Sequence, residues 1–374
     1  MATSFPVLHT KGGYFDVGYS IGSTFQSRIQ TYLESSALFK ETLLPFYDTR
    51  EGRDLVETIM TLTEKNFPMY IDEVQGTAQG AGLPYEMLFV NNMLMEIYFG
   101  YSKNTPRLTR EDLGCSTVYI NRPDVKVIGH NEDCEDLIKH LGYVVDATII
   151  ENDVVEEKFT SLCYPGGLPG ASLGFNYHGL TFSINTVVAP TVGVTTPTNY
   201  LTRAMLRASN IDEVKDIITN AGNGISTGCN INVGSVVDTS TQWSVEVVPR
   251  VSESKLSVQE IHESDDPEKS TYFHMNEYRH MNIKVETAAR SKARLDRAMS
   301  LPVPTCARDA RNILGDVKNL MHPIFRTVRP TDGAATACTG IFDLLNKRLD
   351  IYFDNPSMDI EPLLTFNMES SSRR

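Results

Sequence analysis

Basic charge is the first thing this 374-residue chain is short of: 34 lysines and arginines face 47 aspartates and glutamates, for a formal net charge of -13. A surface of that sign repels phosphate backbones and anionic lipid, so neither nucleic acid nor a membrane is an expected partner, and a small molecule is. Long apolar runs are missing too. None approaches the ~18 residues of a membrane span, and the amino terminus MATSFPVLHTKGG carries no apolar core of signal-peptide type. Cysteine is sparse and scattered, at Cys115, Cys134, Cys163, Cys229, Cys306 and Cys338, with no C-x-x-C pair. No N-x-[ST] acceptor with a permitted middle residue occurs. These absences argue against secretion and a disulfide framework, and for a soluble, cytoplasmic protein with free thiols.

Several motifs are absent as well. H-E-x-x-H does not occur, which removes one hydrolase class. Gly166-Gly167-Leu168-Pro169-Gly170 has the composition of a phosphate-cradling loop without its spacing, and no amphipathic helix follows, so it reads as a tight turn beside the active site. No cofactor is expected.

What is present divides at about residue 114. Before it, Phe15, Val17, Ile21, Phe25, Ile29 and Leu33 recur near a 3.6-residue period, and Leu55, Ile59, Leu62 and Phe67 continue the helical pattern. Gly82 and Pro84 stop one helix and start another that buries Leu88, Phe89, Met93 and Ile97. Residues 100 to 112 are polar and expected to be exposed. After Cys115 the period becomes two. Runs at 116 to 120 and 125 to 130 flank Asn121-Arg122-Pro123-Asp124, a hairpin turn with proline setting its φ. Further strands are expected at 142 to 150, 157 to 163, 180 to 188, 229 to 237, 242 to 248, 255 to 261, 335 to 343 and 348 to 353. Helices are expected over 198 to 208, from an Asn210 cap to Gly222, and over 286 to 299 and 307 to 320. Short turns between strands imply antiparallel sheets with helices packed outside, and no linker separates the halves, so they share one core.

Cys115 is where chemistry would begin. If the Gly114-Cys115 bond were cut, Cys115 would open a strand and carry both a thiol, with a reference pKa near ~8.5, and an α-amine near ~8 to deprotonate it. A lone Gly-Cys before a strand is nevertheless more often a small core residue after a turn.

The run His130-Asn131-Glu132-Asp133-Cys134-Glu135-Asp136 is the densest cluster of ligand-type side chains. Strand alternation points neighbouring side chains to opposite faces and zinc-type spacings are missing, so no metal site is expected. His274 and His280 lack a second ligand pair and read as solvated or core histidines. A hairpin about residues 121 to 124 instead returns to the level of Cys115 at about residue 130, so Asn131 to Asp133 lie close by and a carboxylate there could hold a terminal amine; alone, Asp133 reads as an ordinary strand-end acid.

The segments GCST, SLCYPGGLPG, HGLTFSINTV, NYLTRAML, GIFDL and DNPS, in order from Gly114 to about Ser357, resemble the penicillin acyltransferase-like group of N-terminal nucleophile hydrolases. Within that group the likeness is to the arthropod β-alanyl-dopamine hydrolases. The resemblance implies an α+β fold, an αββα four-layer sandwich with antiparallel sheets, made as a precursor that cuts itself between Gly114 and Cys115. It implies a helical segment 1 to 114 and a catalytic segment 115 to 374 that stay associated in one core. Cys115 would be the nucleophile and its freed amine the base. Asp133 would bind that amine, while Asn185 and Asn276 would lie around the oxyanion and amine, with Asn276 and a backbone N–H as the oxyanion donors. Arg326, or in its place Arg329, would stand near the nucleophile. His130 departs from the arginine or glutamine of some relatives.

The expected activity is hydrolysis of a small amide, an N-β-alanyl conjugate of dopamine first and of histamine (carcinine) second, with Glu132 or Glu135 receiving the substrate ammonium. The alternatives are an acyltransferase of the same fold and a binding protein that never cleaves itself.

Overall fold

In the computed structural model, the described residues are 5–101, 114–283, 289–329 and 334–369. The polar stretch expected at 100 to 112 lies, from residue 102 on, outside them, as does the start of the helix expected from 286. Along the chain the strands are β1 Val7–Gly12, β2 Gly114–Asn121, β3 Lys126–Glu135, β4 Tyr143–Glu151, β5 Val154–Cys163, β6 Leu173–Asn176 and β7 Leu180–Thr186. They continue with β8 Cys229–Ser235, β9 Thr241–Pro249, β10 Ser254–His262, β11 Thr271–His274, β12 Ala334–Asp343, β13 Arg348–Tyr352 and β14 Leu364–Asn367.

Two sheets result. One has eight strands in the order β1-β4-β5-β6-β7-β8-β9-β10, the other six in the order β11-β2-β3-β12-β13-β14. Among these strands every pairing is antiparallel except β1 with β4, which is parallel. That pair departs from the all-antiparallel expectation because β1 arrives from the helical half rather than by a hairpin.

The layers follow from which residues each strand face buries. On β2, Tyr119 packs with Ile128, Val144, Leu173 and Phe175 between the sheets. Val118 and Ile120 point the other way, onto Leu295, Ala298, Ile313 and Leu314 of the helices Ala289–Met299 and Ala307–Leu314. The opposite face of the eight-stranded sheet, through Val145, Ala147, Phe159 and Val245, is covered by the amino-terminal helices through Val17, Ile21, Tyr70, Ile71 and Val74. Helix, sheet, sheet and helix therefore stack as four layers.

The amino-terminal layer is built as its periodicity implies. Val17 and Ile21 fall on the buried stripe of the helix Tyr14–Thr24, and the helix Pro68–Ala81 crosses it at close quarters. A Cβ on Gly18 would lie 2.0 Å from the Glu73 carbonyl oxygen and one on Gly22 2.1 Å from that of Thr77, so only glycine allows this approach. Asn210 caps the helix Ile211–Asn220, its Oδ1 accepting from Asp212 N and Glu213 N. The helix expected to run to 320 ends at Leu314. There Asn355 Nδ2 donates to Gly315 O at 2.9 Å and turns the chain, capturing a carbonyl the helix would otherwise need. Among the described residues no helix is long and apolar enough to cross a membrane.

Candidate active site

Register places the candidate residues. In the β2–β3 hairpin Gly114 lies opposite Asp133, Cys115 opposite Glu132 and Thr117 opposite His130. Alternation then divides them. Cys115, Thr117, His130 and Glu132 face the gap between the sheets, whereas Gly114, Ser116, Asn131 and Asp133 face the helical layer that carries Arg294.

The peptide around Cys115 is held from both sides. Its N–H donates to Asn276 Oδ1 at 3.1 Å, and its carbonyl accepts from Arg294 Nη1 at 2.8 Å. Arg294 also donates to Ser116 Oγ at 2.8 Å and to Asn276 Oδ1 at 2.6 Å, and lies 3.5 Å from Asp133 Oδ2. Gly114 sits against the same groups: a Cβ there would lie 3.0 Å from Arg294 Nη2, 3.1 Å from Asn276 Oδ1 and 3.6 Å from Arg326 Nη1.

Asp133 is buried, with Oδ1 accepting from Thr336 Oγ1 at 2.7 Å. Its Oδ2 makes no hydrogen bond among the described residues. Burial raises the Asp133 carboxyl above its ordinary range, and the positive fields of Arg326 and Arg294 oppose that rise. Burial likewise pushes the Cys115 thiol well up, reinforced by Glu132 and Asp133; backbone hydrogen bonds from Thr186 and Asp133 pull the other way. With the chain intact, the thiol is protonated at neutral pH.

Of the residues singled out from the sequence, Cys115, Asp133, Asn276 and Arg326 converge here. Arg326 is buried and its backbone pairs with Thr336, the residue that holds Asp133. Arg329 instead reaches back to Leu320 O. Asn276 turns its oxygen to Cys115, and its Nδ2 donates to Thr186 O at 2.8 Å. Asn185 stands further back, between the sheets. Its Oδ1 accepts from Thr117 Oγ1 at 2.9 Å and Asn232 Nδ2 at 2.7 Å, and none of its hydrogen bonds reaches Cys115 among the described residues.

The three acids of the site differ in partners. Glu132 Oε1 lies 4.0 Å from Cys115 Sγ and accepts from Tyr164 Oη at 2.5 Å, while Oε2 accepts from Ser172 Oγ at 2.5 Å. Glu135 is taken up by Tyr32 Oη, Ser36 Oγ and Leu38 N, which tie it to the amino-terminal helices. A cavity of about 70 Å³ opens onto Cys115, Glu132 and Asp133, walled by Tyr164, Met95, Asn199 and Thr202. Gly167 of the glycine-rich turn lines it, as expected of a turn beside the site.

Arg294 and Glu246 escaped the sequence reading. Arg294 had a signal: it lies on the buried stripe with Ser291, Leu295 and Ala298, where an arginine needs a buried partner. Glu246 is fully buried and accepts from Arg279 N, Met281 N and His274 Nε2, which shapes the loop bearing Asn276. His274 is thus a core histidine.

The sequence profile of the acyl-coenzyme A:6-aminopenicillanic acid acyl-transferase family matches residues 120–358. A β-alanyl-dopamine/carcinine hydrolase of Drosophila melanogaster is 33% identical over 374 residues, spanning 96% of this chain and 94% of that protein. Among solved structures, a Caenorhabditis elegans ortholog of N-acylethanolamine-hydrolyzing acid amidase matches with a TM-score of 0.40 and 12% identity, over 68% of this chain and 99% of that one. A variant of the conjugated bile acid hydrolase from Clostridium perfringens matches with a TM-score of 0.40 and 10% identity, over 69% and 99%. A profile match across most of the chain, together with a relative that is similar from end to end, makes this protein a member of the acyl-coenzyme A:6-aminopenicillanic acid acyl-transferase family, enzymes of the N-terminal nucleophile amide hydrolase type.

Proposed function

We propose that the chain is made as a precursor, cuts itself between Gly114 and Cys115, and then hydrolyses β-alanyl amides of biogenic amines through a thioester on Cys115. The observation that carries this reading is the treatment of one atom, the backbone nitrogen of Cys115. Asn276 Oδ1 accepts from it, Arg294 fixes the adjoining carbonyl, and Asp133 offers a buried carboxylate oxygen with no hydrogen bond among the described residues. Such a collection is of little use around a peptide N–H and suits an ammonium group.

In the precursor Cys115 Sγ adds to the Gly114 carbonyl carbon. The carbon–nitrogen bond breaks, the thiol proton passes to the departing Cys115 nitrogen, and water releases the Gly114 carboxylate from the thioester. The new amine, with a reference pKa near ~8, then serves the thiol that burial had kept protonated. In turnover Sγ attacks the substrate carbonyl, the amine leaves with a proton, and water activated by the Cys115 amine frees the acyl group. Asn276 holds the amine through Oδ1. Its Nδ2 spends one N–H on Thr186 O and keeps the second for an oxyanion. Segments 1 to 114 and 115 to 374 remain one body, since the apolar stripes of the first would otherwise be exposed.

Two features support a β-alanyl group. The cavity of about 70 Å³ beside Cys115 is well above the roughly 10–15 Å³ that a single water requires, which suits a small acyl group. Glu132, 4.0 Å from the sulfur, lies within the reach of an ammonium two carbons beyond a thioester carbonyl. The similarity to a β-alanyl-dopamine/carcinine hydrolase directs the choice of amine.

The test is chromatographic. N-β-alanyl-dopamine should yield β-alanine and dopamine in equal amounts, with added histamine diverting little of the acyl group. Dominant formation of β-alanyl-histamine would make the protein an acyltransferase, and no turnover of either conjugate would contradict the substrate assignment.

A further inference from the structure

The strand alternation that separates neighbours also gathers residues two apart, and register adds one from the facing strand. His130 and Glu132 share the inner face of β3, and Cys115 of β2 lies opposite Glu132. Cys115 Sγ, an imidazole nitrogen of His130 and a carboxylate oxygen of Glu132 all lie within 4.8 Å of one another, and all three residues are buried. Two of the separations are 4.0 Å for Sγ to Oε1 and 3.5 Å for His130 Nε2 to Oε2. Zinc bond lengths of ~2.0–2.3 Å at tetrahedral angles put donor atoms about 3.3–3.8 Å apart, so a set lying within 4.8 Å needs to close by about 1 Å at most.

The hydrogen-bond network behind the cluster determines which nitrogen of His130 faces it. Asn232 Nδ2 donates to the backbone carbonyl of Ser183 at 3.0 Å, which fixes that amide's orientation, and it donates again to Asn185 Oδ1 at 2.7 Å. Asn185 Oδ1 therefore also accepts the single proton of Thr117 Oγ1, at 2.9 Å. With its proton committed, Thr117 Oγ1 can only accept from His130 Nδ1, 2.9 Å away. The Nδ1 position carries the hydrogen, and in the neutral ring Nε2 is a bare lone pair. That lone pair is buried, has no hydrogen-bond partner among the described residues, and faces a carboxylate oxygen. Two acceptors face to face repel unless a positive charge stands between them.

We propose that Cys115, His130 and Glu132 form a binding site for a thiophilic divalent cation of the zinc class, which caps the thiol. Coordination forms a sulfur–metal bond, releases the thiol proton to solvent and exchanges no electrons. The second shell is already built. Thr117 takes the outer hydrogen of the histidine, and Tyr164 and Ser172 hold the carboxylate, the arrangement that orients first-shell ligands in metal sites. A soft thiolate with an imidazole selects zinc over magnesium or calcium. The cavity reaches Cys115 and Glu132, which leaves the fourth coordination position facing it for water.

The site stands on geometry alone and would exist whether or not Cys115 is the nucleophile, so its test reads metal and not rate. Purified full-chain protein titrated with Co²⁺ should show one equivalent bound, with a thiolate-to-cobalt charge-transfer band and the visible bands of a four-coordinate ion, all abolished by one equivalent of Zn²⁺. Cys115→Ala should remove the charge-transfer band. His130→Ala should weaken zinc binding by at least the ~100-fold that loss of an outer-shell partner reaches elsewhere, and Thr117→Val by ~10- to 100-fold, with circular dichroism of the metal-free variants unchanged. Absence of the charge-transfer band from the wild type at millimolar Co²⁺ would overturn the proposal and leave a proton as the charge between His130 and Glu132. So would wild-type zinc affinity in His130→Ala.

Discussion

Asn276 and Cys115 are joined through the side-chain oxygen of the one and the backbone nitrogen of the other, at 3.1 Å, in a bond that orders the reacting peptide rather than the thiol. If Asn276 acts through that oxygen, Asn276→Ala should slow processing and turnover together, and Asn276→Asp, which keeps an acceptor, should recover part of both. A donor role would give the reverse, with Asp as poor as Ala and each ~100- to 1000-fold below wild type. Single-turnover rates of cleavage and hydrolysis distinguish the two.

Asp133→Asn should lower activity far more than it lowers stability, because the carboxylate serves an amine that exists only after cleavage. Buried acids beside arginines also support folds, so the comparison is needed: the neutral amide leaves Arg294 and Arg326 with less charge to face. Unfolding midpoint and rate, measured on the same preparations, should part. An equal loss of both would make Asp133 an ordinary structural acid.

Arg203 is fully buried and binds Glu73 through Nε at 2.9 Å and Glu157 through Nη1 at 2.5 Å, its guanidinium lying over Phe159 and Tyr70. Glu73 precedes the proposed cut and the other two charges follow it, so the cluster ties the two segments. Removing one member strands the rest. Arg203→Ala is expected to destabilise by ~3–5 kcal/mol, read by denaturant titration, whereas a change below ~1 kcal/mol would show the cluster to be incidental.

Acid should loosen the loop that carries Asn276. Burial lowers the His280 pKa from 6.5 to about 4, with His274 and Arg279 adding to the fall and Glu246 opposing it. The folded state then binds fewer protons than the unfolded one, so this contribution to stability is complete above pH 6.5 and is lost as the pH falls towards 4. Thermal midpoints of wild type and His280→Gln should converge across that window. Parallel curves would contradict the assignment.

The hairpin was legible because its signals are local: a β-branched run, a proline turn and a second run bring Asn131 to Asp133 close to Cys115, although counting puts about residue 130 level with Cys115 where the register puts Glu132. The same is true of the Asn210 cap and of the stripe that buries Val17 and Ile21. Arg294 and Glu246 were not so placed, because each owes its role to partners more than thirty residues away or to a backbone loop that no local pattern specifies. Strand β1 was hidden for a similar reason. Its Val-Leu-His-Thr-Lys-Gly run is ordinary until β4, some 140 residues on, offers it an edge. Asn185 shows the limit in the other sense: a residue whose place in a motif suggested the reacting atoms holds Thr117 and Asn232 instead.

Intact mass of the purified wild type under denaturing conditions shows whether Cys115 becomes a chain terminus. Two species should appear, with masses of residues 1–114 and 115–374, the second giving Cys115 in the first cycle of amino-terminal sequencing; they should co-elute before denaturation. Cys115→Ala should give one uncut, folded and inactive chain, and Cys115→Ser slow cutting at the same bond. A preparation of wild type that is active and consists only of the full-length chain would contradict the account, as would normal cutting of Cys115→Ala.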